Sequence, residues 1–135
     1  MKIKREILNR IIEHAKKCSP IEACGYLAGK EKLITKHYEL ANMDESQEHF
    51  SFEPGEQFRV LRDARANGLE IYAVYHSHPF SPARPSVEDI KLALDPNLSY
   101  CIVSLAGNKE EVKSFRIKAE KVENEDLEVV DNERL

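Results

Sequence analysis

Leu69-Glu-Ile-Tyr-Ala-Val-Tyr75 restricts the fold more than any other segment, because β-branched and aromatic residues crowd it and Gly68 precedes it. Such a run suits a pleated, half-buried surface and is the strongest strand signal in the chain. It passes without a break into His76-Ser77-His78-Pro79. Side chains two apart on extended backbone point to one face, so both imidazoles can reach one point in space. A fold built on this strand carries two histidines together at its end.

The rest of the chain supplies elements to pack around that strand. Ile7, Leu8, Ile11, Ile12 and Ala15 recur on one helical face, and Ser19-Pro20 stops the helix. Ala23 to Ala28 is a short apolar run closed by Gly29-Lys30, as in a buried strand, and Leu33 to Leu40 fits a partly exposed neighbour. Phe50-Ser51-Phe52 is a short strand candidate. Pro54 then opens a second helix and Gly68 closes it. Ser86-Val-Glu-Asp89 has the form of a third helix start. Two further strands, Tyr100 to Leu105 and Val112 to Ile117, flank a turn at Gly107-Asn108. The order α-β-β-β-α-β-α-β-β predicts an α/β fold with a mixed sheet and helices packed against it.

At 135 residues, with 41% hydrophobic and 33% charged residues, the chain has the size and balance of one packed domain. Net charge is -4, and the tail from 120 to 135 sets seven acidic residues against two basic ones. That division predicts a domain over 1–119 and an acidic tail over 120–135, which frays or adds an edge strand at Leu127 to Val130. No basic block matches a phosphate backbone, so nucleic acid is not an expected partner. Nothing reads as a membrane span or signal peptide. Cys18, Cys24 and Cys101 are scattered, without C-x-x-C spacing, which argues against a disulfide framework and for a reducing cytoplasm. A homodimer stays open, since the sequence locates no surface for one.

Asp89 lies eleven residues after His78, in the first turn of the third predicted helix, and the proline-containing loop can fold its carboxylate back. Two neutral imidazoles and one carboxylate suit Zn²⁺, and three protein ligands leave a fourth position for water. Zinc lowers the pKa of that water to about 7. A carboxylate near the water that is not a ligand would take its proton and deliver it to a leaving amine. Glu22 is the candidate: it precedes an apolar strand, where a carboxylate is costly without a compensating partner, and it lies near the metal if that strand pairs beside the His-bearing one. Ser86 can cap the third helix, donate to an oxyanion, or do both.

Taken together, Glu22 within Pro20-Ile-Glu-Ala-Cys-Gly-Tyr-Leu-Ala-Gly29, then His76-Ser-His-Pro79, then Ser86-Val-Glu-Asp89, resembles the JAMM (MPN+) metallopeptidases. Their motif is a Glu, then H-x-H-x10-D with a Ser three residues before the Asp, and every element stands here in order over roughly residues 1 to 119. The resemblance implies a mixed, mostly antiparallel curved sheet flanked by helices, of the JAMM/MPN and cytidine-deaminase-like kind. It implies zinc held by His76, His78 and Asp89, Glu22 as general base and Ser86 at the oxyanion. It also implies a hydrolase acting on a peptide or isopeptide bond at the C-terminus of a ubiquitin-like or sulfur-carrier protein, as small prokaryotic-type members do. The alternative within the same fold is a non-catalytic scaffold or interaction module, which typically lacks the ligand set.

Other readings compete for individual residues. A nucleotide hydrolase of the H-x-H-x-H type would need a third histidine where Phe80 stands. A Cys–His peptidase would use Cys24 and His76, but a thiol in apolar surroundings is inert, and Cys24 reads as core. His14, His37 and His49 read as ordinary surface or core residues, Tyr75 as core. Arg84 either contacts substrate carbonyls or stays solvated.

Overall fold

The computed structural model describes residues 1–131, so Glu133 and Arg134 of the acidic tail lie outside the described residues. In chain order the elements are β1 (Lys2–Lys4), α1 (Arg5–Cys18), β2 (Cys24–Lys30), β3 (Leu33–Leu40), α2 (Pro54–Ala66), β4 (Glu70–His78), α3 (Val87–Leu92), β5 (Ser99–Ser104), β6 (Glu111–Lys118), β7 (Lys121–Glu125) and β8 (Glu128–Val130). The strands form one sheet in the order β7-β6-β5-β4-β2-β3-β1-β8. Four pairings are antiparallel (β2 with β3 and β4, β6 with β5 and β7) and three are parallel (β4 with β5, β1 with β3 and β8). The sheet is therefore mixed, mostly antiparallel and curled, as the resemblance implied.

The two sheet faces bury different sets. Ile7, Ile11 and Ala15 of α1 pack on Leu27, Ile34, Tyr75, Cys101 and Val103. On the opposite face Val60 of α2 meets Tyr26 and Leu40, while Ile90 and Ala93 cover Ile102, Phe115 and Ile117. Neighbours such as Leu27 and Tyr26, or Val103 and Ile102, split between faces because strand side chains alternate. Glu53 caps α2 with its carboxylate, accepting from the backbone N–H of Gly55 and Glu56 at 2.9 and 2.8 Å. Gly68 follows α2 at φ +69°, a conformation that glycine adopts at little cost.

Two sequence expectations need correction. Phe50 to Phe52 is not a strand. The edges it could pair with are taken, since β4 lies between β2 and β5 and β3 between β2 and β1. Its aromatic rings pack another way: Phe50 stacks on His76 and Phe52 lies against Tyr26. The second correction is the number of strands, because β1 and β7 were not expected. Both are short and polar, and β7 is exposed along most of its length, so apolar periodicity gives no sign of them.

What positions the site is the pairing of β2 with β4. Cys24 lies opposite His76, and beyond it Ser77 N–H donates to Ala23 O at 2.9 Å while Ala23 N–H donates to Ser77 Oγ at 2.7 Å. Continuing that register puts Glu22 beside His78. The approach of the strands depends on Gly25, where a Cβ would lie 2.6 Å from the Tyr75 ring and 2.0 Å from Tyr38 O.

Candidate metal centre

His76 and His78 leave the same face of β4, and Asp89 reaches them from the first turn of α3. The three ligand atoms converge: His76 Nε2 lies 3.1 Å from His78 Nε2 and 3.1 Å from Asp89 Oδ2, and His78 Nε2 lies 3.0 Å from the same oxygen. All three side chains are nearly buried. Among the described residues this is the one group of three or more His, Cys, Asp or Glu drawn together closely enough to hold a metal ion.

Hydrogen bonding shows what this cluster needs. His78 Nδ1 sits 2.8 Å from Pro82 O, and a carbonyl only accepts, so Nδ1 carries the proton. In the neutral ring Nε2 then presents a bare lone pair to the Asp89 carboxylate. Two acceptors 3.0 Å apart repel unless a proton or a cation lies between them. Burial pushes the pKa of His78 down, yet the Asp89 carboxylate and the Pro82 carbonyl outweigh it and leave the net shift upward. Burial also pushes Asp89 up, but its hydrogen bonds with His76 and His78 hold it well below the usual carboxylate range. The pocket calls for positive charge. Two imidazoles, His78 with its Nε2 left free by the Pro82 bond, and one carboxylate fit a zinc ion.

Local structure fixes each member. Ser86 and Asp89 form a reciprocal cap at the start of α3: Asp89 N–H donates to Ser86 Oγ and Ser86 N–H donates to Asp89 Oδ2, both at 3.0 Å. Asp89 thus serves helix and cluster with one oxygen. His76 stacks on Phe50 with ring centroids 4.8 Å apart and planes inclined by 28°. Phe50 and the Pro82 carbonyl are the contributors that the sequence reading missed. The two prolines of the 80–85 loop, Pro82 and Pro85, hinted at an ordered turn there; nothing marked Phe50.

Glu22 is 2% exposed, and its Oε1 has no hydrogen-bond partner. Its backbone is held by the 41–53 loop, through Glu22 N–H to Ser46 O at 2.9 Å and Asn42 Nδ2 to Glu22 O at 3.1 Å. Burial raises its pKa to about 8; His78 opposes the shift, while Asp89, Glu88 and Glu48 add to it. Glu22, His78 and Ser86 border one cleft of about 350 Å³ together with Gln47, Glu48, Phe80 and Ser81. A buried, unpaired carboxylate opening on such a cleft has the chemistry of a proton acceptor.

The remaining candidates lie apart from this chemistry. Cys24 is buried, its thiol donates to Leu40 O at 3.7 Å, and burial pushes its pKa up to about 12. It is a core thiol, which removes the Cys–His reading. His14 bonds Tyr75 and His37 bonds Glu39. His49 pairs with Asp44. Arg84 is exposed and does not border the cleft. Among the described residues no helix is long and apolar enough to cross a membrane.

Comparison with known proteins points to one family. The family model for prokaryotic homologues of the JAB domain matches residues 4–118. The chain is 33% identical over 132 residues to the CysO-cysteine peptidase of Mycobacterium tuberculosis, covering 96% of this chain and 90% of that one. It is 34% identical over 73 residues to the desampylase of Pyrococcus furiosus, covering 54% and 52%. A solved structure from Desulfitobacterium hafniense superposes with a TM-score of 0.87 at 42% identity, over 99% of this chain and 94% of that one. A JAB1/MPN domain protein from Archaeoglobus fulgidus gives 0.69 at 27%, over 96% and 97%. A JAMM structure described as a metalloprotease-like zinc site in the proteasome and signalosome gives 0.65 at 26%, over 96% and 97%.

Proposed function

Because this chain belongs to the family of prokaryotic homologues of the JAB domain, we propose that it is a zinc-dependent hydrolase of ubiquitin-like or sulfur-carrier protein conjugates. It cleaves the peptide or isopeptide bond at the carrier's C-terminus. The observation that carries this reading is the convergence of three ligand atoms within 3.1 Å beside a buried carboxylate with an unpaired oxygen. Named relatives act on such conjugates, as CysO-cysteine peptidase and desampylase. The three free cysteines fit the reducing cytoplasm, where carrier proteins of this kind would be met.

His76, His78 and Asp89 hold the ion. Zinc bound there would supply a Lewis acid that polarises the scissile carbonyl and makes water acidic enough to attack near neutral pH. Glu22 takes a proton from the attacking water, and its upward-shifted pKa suits it to hold that proton and pass it to the departing amine. Ser86 Oγ spends an acceptor position on the Asp89 N–H, which leaves its own proton free. That proton stabilises the charge developing on the carbonyl oxygen. Water adds to the acyl carbon, the C–N bond breaks, and the amine leaves with the proton that Glu22 carried.

The test uses the zinc-loaded chain and a ubiquitin-like carrier whose Gly-Gly end is extended by further residues. Intact mass should show the extension removed, with no removal after chelation and recovery on adding zinc back. A chain that holds one zinc and cuts no such carrier would sink the hydrolase reading, and a chain that binds none favours the scaffold.

A further inference from the structure

Glu22 stands just outside the strand that follows it. The β2–β4 ladder closes at Ala23, where Ser77 N–H donates to Ala23 O, and β2 itself starts at Cys24. Both backbone groups of Glu22 are bound elsewhere, its N–H by Ser46 O at 2.9 Å and its C=O by Asn42 Nδ2 at 3.1 Å. Among the described residues Oε1 has no partner to hold it, so the carboxylate is placed through the backbone beneath it. That backbone rests on the 41–53 loop, which has no helix or strand of its own.

One side chain organises that loop. Asn42 Nδ2 donates to Glu22 O and, at 3.0 Å, to His49 O, while Oδ1 accepts from Asp44 N–H at 2.9 Å and Ser51 N–H at 3.4 Å. Both amide hydrogens and both lone pairs are thus used. Only this orientation of the amide sets donors against two carbonyls and an acceptor against two N–H groups. His49 O and Ser51 N–H belong to the peptide units on either side of Phe50, whose ring stacks on His76. Asn42 itself lies outside the cleft, yet it joins the backbone of Glu22 to the residue packed on a metal ligand. Resting on the function proposed above, we infer that Asn42 is a positioning residue for Glu22, holding the proton acceptor in place beside the metal-binding cluster. A misplacement of about 1 Å, even from a change remote from the chemistry, can cost about 10²-fold in rate.

Hydrogen exchange and kinetics on the full chain test this together. In the metal-free protein, Asn42→Ala should speed exchange of the Glu22 amide roughly tenfold or more, while amides of β2 and β4 keep their protection. In the zinc-loaded protein, acting on a ubiquitin-like carrier with an extended Gly-Gly end, the same variant should lower kcat roughly tenfold or more. Added to Glu22→Gln, it should change kcat by less than about twofold, because a residue acting through that carboxylate has no effect once it is gone. Asp44→Ala cuts the loop's bonds to the His49 ring and the Ser51 hydroxyl and keeps those of the Asn42 amide. It should leave kcat within about twofold of the native chain. Should Asn42→Ala fail to fold, Asn42→Ser retains an acceptor for Asp44 N–H and is read in the same way. Unchanged exchange at Glu22, unchanged kcat, an equal loss with and without the Glu22 carboxylate, or an equal loss in Asp44→Ala overturns the inference and leaves the hydrolase reading standing. A native chain that holds zinc and cuts no such carrier overturns both.

Discussion

On one face of β4, Tyr75 and Ser77 are buried with partners inside the protein: the Tyr75 hydroxyl meets His14 Nδ1 at 2.7 Å, and Ser77 Oγ accepts from Ala23 N–H. On the other face, His76 and His78 are equally buried but turn their Nε2 atoms toward each other and toward the Asp89 carboxylate. The strand, its burial and its neighbours are shared, so the difference is not one of environment at large. It lies in whether the fold closes each polar group's bonding or leaves it for something that arrives later. Buried polar groups are normally satisfied, and an arrangement that defers satisfaction loses stability for a chemical use.

Removing a ligand should break that contrast most severely. His78→Ala takes away one of three donors and its tautomer-fixing bond to Pro82, so zinc and hydrolysis should be lost together. Stoichiometric zinc in the purified variant would count against this ligand set. Glu22→Gln should separate the two properties: zinc stays, while kcat/KM falls by about 10²–10⁴-fold, the usual reach of general acid–base catalysis. The same variant should change the stability of the metal-free chain. Glu22's carboxyl is raised from 4.5 to about 8. Its protonated form therefore contributes stability that is complete below pH 4.5 and lost as pH climbs through 8. Glu22→Gln should remove that decline, and denaturation midpoints at pH 5 and pH 8 check it.

Ser86 sharpens the comparison because one hydroxyl spans both kinds of work. Ser86→Ala should cost α3 its cap, about 1 kcal/mol, and lower kcat by about 10²-fold through the missing oxyanion donor. Ser86→Gly costs only a few tenths of a kcal/mol as a cap. Two variants equally slow in kcat point to the hydroxyl proton; recovery in the glycine variant would assign the whole effect to the cap.

How much of this could be read from residues follows the same division. The Leu69 to Tyr75 strand, the shared face of His76 and His78 and the helix start at Ser86 rest on periodicity and capping, which are local. The placement of Glu22 does not, because it needs the β2–β4 register, a contact across some fifty residues of chain. Gly25 was the one local trace of it, a residue small enough to admit the Tyr75 ring, and its meaning shows only with both strands in view. Phe50 misled for a related reason. An aromatic pair flanking Ser51 alternates like a strand, yet its rings are consumed by His76 and Tyr26 across the cleft loop. Exposed β7 carries no apolar pattern, so only pairing with β6 reveals it.

The satisfied face offers the mildest test and the most direct check on its independence from the site. Tyr75→Phe deletes the hydroxyl and leaves His14 Nδ1 buried without its partner, a loss of about 1–3 kcal/mol. His14 is held neutral chiefly by burial, with Glu39 opposing, so it cannot recover the loss by charging cheaply. The double variant Tyr75→Phe with His14→Ala removes both partners, and the two costs should add to less than their sum. Zinc stoichiometry and kcat/KM should stay within about twofold of the native chain, since a deletion of this kind on a packed face usually acts through stability alone. If zinc affinity fell in step with the denaturation midpoint, the Tyr75–His14 bond would be setting the angle of His76 through the shared backbone. The two faces of β4 would then be one device.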